Sequence, residues 1–185
     1  MKLEFYHGDI LDLQVDVLVC SANVSLNLSG GVGGALLSRY GADLQTELHS
    51  KLPTTAPRFA KRGDVIITHP KNTPYKAVFH AVAVDAFYNS SCDIIHNICR
   101  KVFLKAAEEK AESLALPLLA TGYGHLPVTE FIKGFSQALE ADYSPLRKVI
   151  IAVQSDIAFI ELKNNLSVQG LSNMRLQEDS RSGSS

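Results

Sequence analysis

Residues 15–36 read VDVLVCSANVSLNLSGGVGGAL: a short apolar run, a polar step, glycines at 30, 31, 33 and 34, then a helical pattern. VDVLVC is rich in β-branched residues, the pattern of a strand covered on both faces. A chain that leads such a strand into a helix through flexible backbone points to a sheet layered with helices. Glycine at that junction permits positive φ and close approach of main chain to a ligand. The helix N-terminus behind it adds unpaired N–H groups and partial positive charge, which suit phosphate. The same glycines also suit a loop that needs only tight turns.

The rest of the chain repeats the alternation. Residues 2–6 alternate weakly and read as an edge strand, with His7-Gly8-Asp9 as a turn. Residues 35–40 read as a short helix ended by Gly41, and residues 43–51 as a second that stops before Pro53. VIIT at 65–68 and KAVFHAVAV at 76–84 are strands. Ser90 or Ser91 caps a long helix reaching about residue 112, with Lys105 and Glu109 one turn apart on its outer face. LALPLLA at 114–120 is strand-like, with Pro117 marking an irregularity. Residues 129–141 read as helix, 148–153 as strand and 156–164 as a closing helix capped by Asp156. The fold class expected is a three-layer α/β/α sandwich on a mostly parallel, mixed central sheet. Ligands of such sheets lie beyond the carboxyl ends of the strands.

Composition sets the partners. Lys+Arg number 18 and Asp+Glu 19, so the net charge of -1 offers no basic field to a nucleic acid or an anionic membrane, a local patch apart. No apolar run approaches the ~18 residues that span a bilayer. Cys20, Cys92 and Cys99 are too few and too scattered for a disulfide framework, and no CxxC or HxH pair suggests a metal. The expectation is a reduced, cytoplasmic protein without metal or cofactor, with one domain over residues 1–166. Residues 167–185, ending SRSGSS, read as a disordered or appended tail.

A second loop, ATGYGHLP at 120–127, again follows a strand and precedes a helix. Two glycine-rich loops on one edge of a sheet can hold an extended anion from both sides. Neither fits GxxxxGK, nor GxGxxG with its following acidic residue. In order and spacing, Gly8-Asp9-Ile10, VDVLVCSAN, the glycine loop, FHAVAV and PLLATGYGHLP resemble the macrodomain family over roughly residues 3–166.

The resemblance implies a cleft that takes ADP-ribose, free or on a mono-ADP-ribosylated protein. The alternative it implies is an ADP-ribosyl hydrolase or O-acetyl-ADP-ribose deacetylase in the same cleft. Carried over by position, Asp9 accepts from the adenine amino group and the Ile10 backbone meets the ring, although Asp after Gly equally suits a turn. Asn23 hydrogen-bonds the distal ribose and is a candidate catalytic residue, or else satisfies loop backbone. Gly30, Gly31, Val32, Gly33 and Gly34 line the ribose and diphosphate. Thr121, Gly122, Tyr123, Gly124 and His125 close from the other side, with the Thr121 hydroxyl as a further donor and Tyr123 either along the ribose or over the core.

Three departures bear on activity. The family's Asn-Ala-Ala-Asn is Cys20-Ser21-Ala22-Asn23 here. The loop aspartate of the better-known hydrolases falls on Gly33, which has no side chain to act as base. Where many members place an aromatic for adenine, the sequence has Gln154, taken as a ligand contact, and Ser155, with Phe159 nearby. His125 carries an imidazole, a side chain suited to proton transfer, and is the other catalytic candidate, against the commoner role of a loop histidine bonded to backbone. His80 and Cys20 read as core residues. A cleft adapted to another nucleotide or to a protein partner is the remaining possibility.

Overall fold

The computed structural model describes residues 1–168 and 175–178. Its elements run β1 (Lys2–His7), a single 3-10 turn (Ile10–Asp12), β2 (Val17–Ala22), α1 (Gly31–Tyr40), α2 (Asp43–Ser50), β3 (Val65–Thr68) and β4 (Ala77–Val82). Then come α3 (Cys92–Glu108), β5 (Ser113–Leu116), α4 (Val128–Ala138), β6 (Lys148–Val153), α5 (Asp156–Val168) and β7 (Arg175–Glu178). The strands form one sheet in the order β3-β4-β2-β5-β6-β1-β7. Every neighbouring pair is parallel except β3 with β4.

Side-chain alternation along β2 explains the three layers. Val17 and Val19 enter a core with Phe103 of α3, Phe131 and Phe135 of α4 and Phe159 of α5. Leu18 and Cys20 enter a second core with Leu36 of α1 and with Leu44 and Leu48 of α2. Both faces of VDVLVC are therefore covered, as its lack of a polar face requires. The helices that follow the adjacent strands β2 and β5 lie on opposite faces of the sheet. That divergence opens a crevice beyond the two strand ends, the place where open α/β sheets take ligands. Among the described residues no helix is long and apolar enough to cross a membrane.

Several boundaries differ from the sequence expectation. α1 begins at Gly31 rather than at 35, so Gly31, Gly33 and Gly34 are inside the helix and Gly30 is its N-cap. Glycine costs a helix about 1 kcal/mol against alanine, which argues against such a start on propensity alone. Packing overrides it: a Cβ on Gly33 would lie 3.3 Å from the Leu28 backbone and 3.4 Å from Cys20 Sγ, so glycine lets α1 sit close to β2 without crowding. β5 stops at Leu116, since Pro117 cannot donate to a ladder. α5 is capped by Ser155, whose Oγ accepts from Ala158 N at 3.4 Å; Asp156 instead pairs with His7 Nε2 at 3.0 Å.

β1 is not at the edge, because β7 pairs with it from Glu4↔Arg175 to His7↔Glu178. Of the tail expected at 167–185, residues 169–174 and 179–185 lie outside the described residues.

His80 is wholly buried in β4, with Nε2 2.9 Å from Thr68 Oγ1. Burial lowers its pKa from 6.5 to about 4. The unfolded chain therefore takes a proton at a higher pH than the folded one. The contribution of His80 to stability is present above pH 6.5 and is lost as pH falls through the window down to about 4. Denaturant titration at pH 5.5 should give about 1 kcal/mol less stability than at pH 7. His80→Gln should remove that part of the difference, and an unchanged difference would mean another group carries it.

Candidate functional site

The crevice holds a cavity of about 810 Å³, within the usual range for small-molecule sites. Its walls come from the end of β2 and the loop into α1, from the loop after β5, from the end of β6, and from Tyr88. Among the described residues no lysine, arginine or carboxylate lines it, and His125 is the one lining histidine. Any anion held there is held by dipoles.

Asn23 builds the first loop. Its Oδ1 accepts from Ser25 N at 3.1 Å and Asn27 N at 3.3 Å, which folds the chain back on itself. Asn23 lines the cleft, and its Nδ2 makes no hydrogen bond among the described residues. Gln45 of α2 fastens the same loop, accepting from Leu28 N at 2.7 Å and donating to Leu26 O at 2.8 Å. The loop ends at Gly30, the N-cap of α1, which has no side-chain cap. The first-turn N–H groups of α1 have no intrahelical acceptor, and Gly31 and Val32 face the cavity. Gly33 and Gly34 are not among the lining residues. A side chain on Gly33 would point at Leu28 and Cys20 in the core, whose thiol burial pushes up to about 12.

The second loop is closed by Leu126 N donating to Ala120 O and His125 N donating to Gly122 O, both at 3.0 Å. Ala120 and His125 hold left-handed backbone at φ 63 and φ 50, conformations uncommon for non-glycine residues. The Thr121 hydroxyl donates to Leu118 O at 3.0 Å, so it is spent inside the loop. The N–H groups of Gly122, Tyr123 and Gly124 have no acceptor among the described residues. Tyr123 is 72% exposed and crosses the cleft mouth rather than covering the core. A Cβ on Gly30 would lie 3.0 Å from its Oη, and its ring lies 6.4 Å from that of Tyr88.

Asn23, Gly30, Gly31, Val32, Thr121, Gly122, Tyr123, Gly124, His125 and Gln154 thus surround one cavity. Asp9 and Ile10 stand outside its lining. Asp9 caps the 3-10 turn, its Oδ1 accepting from Leu11 N at 2.9 Å, and its Oδ2 pairs with Arg39 Nη2 at 3.1 Å. Phe159 is buried and stacks on His7 at 4.4 Å, so its ring has no face free for a base. Arg39, Gln45 and Tyr88 escaped the sequence reading because each acts across the fold on residues far away in the chain.

A Macro domain family model matches residues 19–133. A protein of Saccharolobus solfataricus is 30% identical over 166 residues, covering 88% of this chain and 92% of the relative. A Mycobacterium tuberculosis protein is 28% identical over 159 residues, covering 85% of this chain. The chain spans only 43% of that relative's length, so it matches less than half of the first curated relatives. Among solved structures, a Trypanosoma brucei macrodomain in complex with ADP-ribose superposes with TM-score 0.75 at 21% identity, covering 88% of this chain and 68% of that one. A variant Oceanobacillus iheyensis macrodomain with ADPR gives TM-score 0.77 at 23% identity, covering 91% and 94%. At those identities the likeness is one of fold.

Proposed function

The chain belongs to the Macro domain family, and from that premise we propose that its cleft binds ADP-ribose, free or as the terminal unit on a mono-ADP-ribosylated protein. The diphosphate lies between the first-turn amides of α1, at Gly31 and Val32, and the amides of Gly122, Tyr123 and Gly124. Asn23 Nδ2 donates to the distal ribose. Asp9, Ile10 and Gln154 form the adenine end.

The observation that carries this reading is a pair of amide sets at one cavity that, among the described residues, have no acceptor and no cationic side chain beside them. Main-chain donors at a helix N-terminus favour a phosphate without a cationic side chain. Attraction from dipoles is short-ranged, so affinity should change little between low and moderate salt.

Calorimetry with ADP-ribose, ADP and AMP tests the proposal. ADP-ribose should bind best, since it alone reaches both loops and the Asn23 amide. Asn23→Asp keeps the oxygen that organises the loop and loses the donor, so it should weaken ADP-ribose binding by about tenfold or more. Equal affinity for AMP would defeat the reading.

Hydrolysis of an ADP-ribosyl bond or deacetylation at the distal ribose is the second reading. It is favoured by the placement of His125 on the cavity wall. Gly33 supplies no base, so such an activity must draw on His125 or on the ligand's own phosphate to position water. Incubation with a mono-ADP-ribosylated protein decides it: release of ADP-ribose that His125→Asn abolishes would make the protein an enzyme. No release at high protein concentration would leave it a binder.

A further inference from the structure

We propose that Arg39 is a specificity-determining positioning residue, which holds the Asp9 carboxylate in the orientation that reads the 6-amino group of the ligand's base. This rests on the reading of the cleft as an ADP-ribose site, and it concerns a residue that does not itself touch the ligand.

Arg39 lies in the last turn of α1. Its Nη2 donates to Asp9 Oδ2 at 3.1 Å, while Nη1 donates to Leu11 O at 2.9 Å and to Asp12 Oδ1 at 3.2 Å. One planar fork therefore grips the turn at three points, a geometry that a lysine's point charge cannot reproduce. The buried Tyr75 hydroxyl donates to the same Leu11 carbonyl at 3.2 Å, so the turn is held from two sides. Asp9 Oδ1 is already engaged by Leu11 N. With both oxygens engaged, the carboxylate is restrained in one orientation.

An ionised carboxylate only accepts, and each of its oxygens has two lone pairs. One pair on each oxygen of Asp9 is used inside the protein, which leaves one on each for a donor. A 6-amino group is such a donor, whereas a 6-carbonyl in its place is repelled. Discrimination of this kind depends on the acceptor's being fixed, because a carboxylate that can swing away escapes the repulsion.

The Asp9 and Arg39 side chains are 33% and 40% exposed. Ion pairs this open add little to fold stability. The loss of Arg39 is therefore expected in base selectivity rather than in folding. The contact also ties the turn to the same helix whose first turn faces the cavity, so the base-reading and phosphate-binding ends share one rigid element.

The experiment compares affinities for ADP-ribose and inosine diphosphate ribose in the wild type, Arg39→Gln, Arg39→Lys and Asp9→Asn, with thermal unfolding of each. The wild type should prefer ADP-ribose. Arg39→Gln should cut that preference by about fivefold or more, chiefly by weakening ADP-ribose, with little change in unfolding temperature. Arg39→Lys should fall between the two, and it carries the test should the glutamine variant fold poorly. Combining Arg39→Gln with Asp9→Asn should reduce the preference no further than Asp9→Asn alone. If Arg39→Gln keeps the full preference while Asp9→Asn loses it, the role of Arg39 is overturned and the Asp9 reading stands. A wild type that binds ADP-ribose with no preference overturns both, and one that binds neither ligand overturns the proposed function as well.

Discussion

Alanine at Gly124 should weaken ADP-ribose binding by about a hundredfold. A Cβ at 124 would sit 2.5 Å from Ala120 O and 2.8 Å from Val84 Cγ1. Ala120 O is the acceptor that closes the loop through Leu126 N. Ala120 is already in left-handed backbone, so it has little room to yield. The loop must therefore open, and the amides at 122–124 turn away from the diphosphate. Two hydrogen bonds to a charged group, at about 1.5 kcal/mol each, amount to about a hundredfold in Kd. Calorimetry on Gly124→Ala is the measurement, and wild-type affinity would mean those amides do not hold the ligand.

Gly134→Ala should destabilise the fold although it sits in mid-helix, where alanine is ordinarily the better residue. Propensity offers a gain of about 1 kcal/mol. Against it, the added methyl would overlap Cys92 O and lie 3.0 Å from His96 N, both backbone atoms of α3, and 3.1 Å from Ile95 Cβ. Backbone cannot rotate aside as a side chain can. The two helices must separate, and with them the packing of Phe103 on Phe135, whose ring centroids are 5.9 Å apart. Overpacking of this kind costs about 3 kcal/mol, so the net loss is about 2 kcal/mol. In a chain of this size that lowers the midpoint of thermal unfolding by roughly 4–8 °C. A midpoint unchanged or raised would show that α3 and α4 have room between them.

The two glycines mark the limit of legibility. The sequence reads equally well with Gly134 as a tolerated weakness in a helix and Gly124 as one more loop residue; only the neighbours reveal that neither can carry a side chain. Helix α1 makes the same point at its start, since propensity sets the boundary beyond the glycines and contact with Cys20 and Leu28 draws them in. Strands VIIT and KVIIAV, by contrast, were readable to the residue. Their β-branched runs are bounded by turn-forming neighbours, and both signals are local.

The alternation of strand and helix, the double burial of VDVLVC and the two glycine-rich junctions were fixed by residues adjacent in the chain, because hydrophobic periodicity and backbone freedom are properties of short segments. Which face each helix covers, and so where the crevice opens, came only with the packed sheet. So did the grip of Arg39 on Asp9 and of Gln45 on the loop at Leu26 and Leu28, for these join residues about 17 to 30 apart, brought within hydrogen-bond reach only by folding.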